Sequence, residues 1–114
     1  MANARAVVAR LVDNLISRNN VVVFSKSYCP FCLRTKATFD ALKQPYTALE
    51  LDLEKDGEAI QEYLYEKTKQ TTVPNIFIKQ RHFGGNSDLQ AALERKKLIL
   101  PLESEAVKIP KQAE

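Results

Sequence analysis

Cysteine and histidine are both scarce in this 114-residue chain, which holds two of the first, Cys29 and Cys32, and one of the second, His82. A structural zinc centre takes four ligands, so a self-contained one would have to borrow carboxylates or a second subunit. Two cysteines with only two residues between them close no long loop, which removes a scaffold crosslink from consideration. Long apolar runs are missing too. None approaches the ~20 residues of a membrane-spanning helix, so no membrane partner is expected. The N-terminus lacks the continuous apolar stretch of a secretory signal. Residues 2–18 are amphipathic and contain arginine, in the manner of an organelle transit peptide, but Asp13 and the shortage of serine speak against that. Nor does one sign of charge dominate: 17 Lys and Arg against 14 Asp and Glu give a net +3. The basic residues are scattered among acidic ones except at Arg95–Lys97, so no stripe for nucleic acid is expected.

What is present fits one domain with a single modest core. Val7, Val8, Leu11, Val12, Leu15 and Ile16 recur at helical spacing and predict a helix over 3–17, ended by Asn19-Asn20. Val21-Val22-Val23-Phe24 reads as a strand buried on both faces. A loop over Ser25 to Pro30 follows, and Pro30 suits the first position of a second helix because its missing N–H would have no partner there. Leu33, Lys36, Phe39 and Leu42 continue that helix to Gln44-Pro45. Alternation over 46–53 puts Leu49, Leu51 and Leu53 on one face of a second strand. Asp56-Gly57-Glu58 introduces a helix carrying Ile60, Tyr63, Leu64 and Lys67. Asn75–Ile78 predicts a third strand, turned back at Lys79-Gln80, a poor hairpin dipeptide, into Arg81-His82-Phe83. After Gly84-Gly85, Asn86-Ser87-Asp88 is expected to cap a last helix holding Leu89, Ala92 and Leu93. This order predicts an α/β fold, a four-stranded mixed sheet with helices on both faces. The domain is expected over 1–102, with 103–114 a loosely ordered tail.

The two cysteines lie where strand, loop and helix meet. Cys29 falls just before the second helix and Cys32 in its first turn. Unpaired N–H groups and partial positive charge at a helix N-terminus stabilise an anion. The thiolate is that anion, and it is the form that attacks disulfides. Lys26, three residues upstream, supplies a further cation. These residues therefore predict thiol–disulfide chemistry, with Cys29 as the nucleophile and Cys32 beneath it to resolve a mixed disulfide.

Three blocks carry a family resemblance: Lys26-Ser27-Tyr28-Cys29-Pro30-Phe31-Cys32, Thr72-Val73-Pro74-Asn75-Ile76-Phe77-Ile78, and His82-Phe83-Gly84-Gly85-Asn86-Ser87-Asp88-Leu89. In order and spacing the chain resembles the dithiol glutaredoxins from about residue 4 to 98. The resemblance implies a thioredoxin-like fold with an extra N-terminal helix, and a cytoplasmic enzyme that reduces protein disulfides and glutathione mixed disulfides with glutathione as co-substrate and no other cofactor or metal. It also implies a glutathione groove. Lys26 and Gln70 would meet the glycine carboxylate, and Val73 would pair through its main chain with the cysteinyl part. Pro74 would follow a cis bond, Ser87 and Asp88 would hold the γ-glutamyl end, and Tyr28 would wall the site beside Cys29. Phe31 stands where the family often has Tyr, and Lys69 and Thr71 replace a common Gly and Arg around Gln70. A monomer is expected, with disulfide-containing or glutathionylated proteins as partners. The competing reading is an iron–sulfur module, a two-iron cluster held between two subunits by one cysteine of each and two glutathiones; Pro30 is associated in the family with cluster-free enzymes. A thioredoxin reduced by a flavoprotein fits less well, because the chain lacks Trp-Cys-Gly-Pro-Cys and has no tryptophan.

Overall fold

The structure, a computed structural model, describes residues 3–103. The elements run α1 (Ala4–Arg18), β1 (Val21–Ser25), α2 (Pro30–Ala41), β2 (Thr47–Glu50), α3 (Gly57–Thr68), β3 (Asn75–Ile78), β4 (Arg81–Gly84) and α4 (Asn86–Glu94). The strands form one mixed sheet in the order β2-β1-β3-β4. β1 pairs in parallel with β2 and antiparallel with β3, which pairs antiparallel with β4. This is the α/β arrangement expected from the sequence. Apart from Glu103, the expected C-terminal tail lies outside the described residues.

β1 is buried along its whole length, so its side chains feed two cores. On one face Val22 and Phe24 join Phe77 with Val8, Val12 and Ile16 of α1 and Ile60 and Leu64 of α3. On the other, Val21 and Val23 join Ile76 and Ile78 with Phe39 of α2 and Leu89 of α4. The strand periodicity of two, applied to an all-apolar run, is what lets one strand anchor helices on both sides. α1 begins where the Asn3 carboxamide accepts the Arg5 N–H (2.8 Å), and it ends where the Asn19 side chain donates to the Leu15 carbonyl (2.8 Å).

Three sequence expectations are corrected. β2 stops at Glu50, not Leu53, because its partner β1 ends at Ser25, opposite Glu50. The Leu51 N–H takes the Ser25 carbonyl (2.8 Å) and the chain then turns, burying Leu51 but leaving Leu53 71% exposed. In α2 the inward stripe is Cys32, Thr35 and Phe39, so Leu33 and Leu42 face outward. Thr35 can be buried because its hydroxyl donates to Asn86 Oδ1 of α4 (2.9 Å). Finally, Gly85 occupies the cap of α4 and Asn86 is already helical; Asp88 closes that end by accepting the Gly85 N–H (2.9 Å).

Candidate active site

Cys29 is the N-cap residue of α2, at the end of the loop that leaves β1. Its N–H donates to the Lys26 carbonyl (3.1 Å) and its own carbonyl accepts the Leu33 N–H (3.1 Å), so the loop closes on itself as the helix opens. A second tie comes from across the fold: Ser27 donates its N–H (2.9 Å) and its hydroxyl to Asp52, in the turn after β2. Those bonds hold the Asp52 carboxyl below its ordinary range. Nothing in the sequence flags this pair, which is 25 residues apart.

Cys29 is half-buried, Cys32 is fully buried, and both are free thiols. Partial burial pushes the Cys29 thiol up, but hydrogen bonds from the Cys32 backbone and side chain and from the Phe31 backbone, with the charge of Lys26, outweigh it and leave the thiol below its usual value. Burial drives Cys32 the other way, above its usual value, against hydrogen bonds from the Lys26 backbone and the Ser25 side chain. The Ser25 hydroxyl has one hydrogen, and in this structure it goes to Glu50 Oε1 (2.8 Å), whose other oxygen pairs with Lys36, so a Cys32 thiolate would compete with Glu50 for it. Two cysteines of one motif are thus pushed apart, one toward the nucleophilic thiolate and one toward the protonated reserve.

Five of the seven expected groove residues line two clefts beside the motif. Val73, Pro74 and Ser87 line one of about 340 Å³, with Phe31, Thr72, Gly85 and Asn86. Its far wall is the first turn of α4, where the N–H groups of Asn86, Ser87 and Asp88 precede the first intrahelical bond, Leu89 to Gly85. Lys26 and Tyr28 line the other, about 680 Å³, bordered by Asp52, Glu54, Glu58 and Glu62. The Val73–Pro74 bond is cis, and the Val73 carbonyl lies 3.8 Å from Cys29 Sγ. Tyr28, just before the motif, and Phe31, within it, are 68% and 53% exposed. Gln70 faces neither cleft with free donors, since its amide nitrogen donates to the Thr72 and Pro74 carbonyls (3.0 Å each). Lys69 also points away from the groove, with its ammonium 5.5 Å above the Tyr65 ring. Asp88 is engaged through one oxygen by the Gly85 N–H. Gly84 has φ +130°, and a Cβ there would stand 2.3 Å from Asp88 Oδ2, so glycine is required for that carboxylate to reach the cap.

Comparison with known proteins agrees with this geometry. The sequence pattern of the Glutaredoxin family matches residues 21–83. The chain is 51% identical over 84 residues to glutaredoxin-2 of Schizosaccharomyces pombe, covering 74% of this chain and 76% of that one. It is 50% identical over 97 residues to a glutaredoxin of Solanum lycopersicum, covering 85% and 89%. Among solved structures, a buckwheat glutaredoxin–glutathione complex superposes with a TM-score of 0.80 at 41% identity, over 82% of this chain and 86% of the other.

Proposed function

The chain belongs to the glutaredoxin family and is a glutathione-dependent thiol–disulfide oxidoreductase; from that premise we propose how its own residues divide the work. Cys29 thiolate attacks the glutathione sulfur of a mixed disulfide, forming Cys29–S–S–glutathione and releasing the substrate thiolate, which takes up a proton. A second glutathione thiolate attacks the bound glutathione sulfur, regenerating Cys29 and releasing oxidised glutathione. With a protein disulfide, Cys29 forms the mixed disulfide with one substrate sulfur. Cys32 then attacks Cys29 Sγ, completing the reduction and leaving a Cys29–Cys32 disulfide for two glutathiones to reduce. Glutaredoxin potentials of about −200 to −230 mV suit exchange with a glutathione pool.

The observation that carries this reading is the placement of the two sulfurs, Cys29 half-buried at the helix cap, where its thiol is lowered, and Cys32 fully buried in the core, where its thiol is raised. In the groove, the Val73 main chain pairs with the cysteinyl portion of glutathione. Lys26 meets the glycine carboxylate, and Tyr28 walls the sulfur. The first turn of α4, with Ser87 and Asp88, takes the γ-glutamyl end: helix N–H groups suit its carboxylate and Asp88 its ammonium. Pro74 sets the turn that directs Val73. Because nucleophile, resolving thiol and groove all lie on one chain, we read the working unit as a monomer whose partners are disulfide-bonded or glutathionylated proteins. We place it in the cytoplasm, where reduced glutathione sustains turnover.

The test separates the sulfurs. Cys29→Ser should abolish turnover of a small glutathione mixed disulfide, while Cys32→Ser should retain much of it. Equal loss in both variants would contradict the division of labour.

A further inference from the structure

The Gln70 side chain is spent inside the chain, and its surroundings show on what. Its nitrogen has two hydrogens, and two carbonyls stand at 3.0 Å to receive them, Thr72 and Pro74, one on each side of Val73. That fixes which end of the amide is nitrogen, so the oxygen must face His82, whose Nε2 is 3.1 Å away. An oxygen cannot donate, so His82 Nε2 must carry a hydrogen. Imidazole with that tautomer and imidazolium both keep it, so the bond survives titration of the ring. The Gln70 N–H is held by Thr68 Oγ1 (3.1 Å), which itself donates to the Leu64 carbonyl (2.8 Å) in the last turn of α3. His82 is held by its strand, paired with Phe77 of β3, and by ring packing against Phe77 with centroids 5.4 Å apart. Gly85 closes over the assembly, since a Cβ on it would lie 3.6 Å from the Pro74 carbonyl and 4.0 Å from Gln70 Nε2.

We infer that Gln70 and His82 are positioning residues, a brace between α3 and β4 that fixes the Val73 main chain in the orientation that receives glutathione. The inference rests on the reading above, in which Val73 pairs with the cysteinyl part of glutathione. His82 acts wholly through Gln70, and Gln70 through the two carbonyls it joins. The geometry suits that role, because one side chain ties the peptide unit that carries the Val73 N–H to the unit that follows Pro74, and so spans the Val73–Pro74 bond whose C=O must be aimed. Clamping both neighbours removes backbone freedom that binding would otherwise have to remove.

The experiment uses the full chain with His82→Phe, which keeps a ring against Phe77 but loses the donor, and His82→Gln, which restores a donor near the Nε2 position. Two quantities are read: steady-state kinetics with the mixed disulfide of glutathione and 2-mercaptoethanol, and hydrogen–deuterium exchange over 70–76 in the protein without glutathione. For His82→Phe the expectation is a KM raised about two- to ten-fold, the scale of one hydrogen bond, with kcat changed less, together with faster exchange over 70–76 and unchanged exchange in β1. His82→Gln should recover both. If His82→Phe unfolds, Gln70→Glu serves instead, since it keeps the size but turns both donors into acceptors. Unchanged exchange over 70–76 would overturn the brace. Faster exchange with an unchanged KM would overturn the role given to Val73, and the inference with it.

Discussion

At the residue scale, the site depends on unequal treatment of two chemically identical thiols. The lysine beside the motif contributes less to this than its charge suggests. Burial, the Cys32 hydrogen bonds and the Phe31 N–H all weigh more on the Cys29 thiol than Lys26 does. Lys26→Gln should therefore raise the Cys29 pKa only slightly, moving the pH–rate profile for alkylation toward higher pH by a small step. The same substitution should raise KM for glutathione by the larger factor, on the order of two- to five-fold for one exposed charge-assisted contact. A large pKa change with an unaltered KM would reverse that ranking. The cysteines and their order are legible in the sequence because a helix N-terminus leaves a local signature, proline at the first position after the nucleophile. Gln70 is not legible. Its partners Thr72 and Pro74 are neighbours in sequence, but a carboxamide shows no preference for a backbone carbonyl over a ligand carboxylate until both are placed in space.

At the scale of elements, the chain carries local backbone choices that favour other residues. Lys69 ends α3 in the left-handed conformation, φ +66°, where glycine avoids a steric penalty. Lys69→Gly should stabilise the protein by about 0.5–1 kcal/mol, read as a rise of a few degrees in Tm. The loss of the Lys69–Tyr65 ring contact limits the gain. The Lys79-Gln80 hairpin has the same character, both residues at positive φ, but here the fold compensates. The Lys79 N–H reaches the Asn20 carbonyl (2.7 Å) and the Gln80 amide reaches the Asn19 carbonyl (3.1 Å). That is why a poor turn dipeptide still makes a turn. Element boundaries are least legible where tertiary partners decide them. β2 is cut short by the end of β1, and the face of α2 is set by the Thr35–Asn86 bond to α4; neither leaves a mark on apolar periodicity.

For the whole molecule, the sheet is a partition between two cores, and β1 contributes to both. Phe39 is fully buried on the α2–α4 side, with its ring centroid 5.6 Å from that of Tyr46. Phe39→Ala should cost about 3–5 kcal/mol. In urea this would lower the midpoint while leaving the slope unchanged, as for a protein that still unfolds in one step. The global order of elements is legible because alternating strand and helix patterns in so short a chain leave few ways to arrange a sheet. The antiparallel pairing of β1 with β3 is not, since it follows from the path of the 69–74 connection across the sheet.

The depth difference between the two sulfurs has one more consequence. A reagent in solution meets Cys29 at the rim, whereas Cys32 can be served only by the sulfur directly above it. Electrons therefore enter and leave through a single doorway, and the sequence of events in a turnover is enforced by access before any difference in potential is consulted.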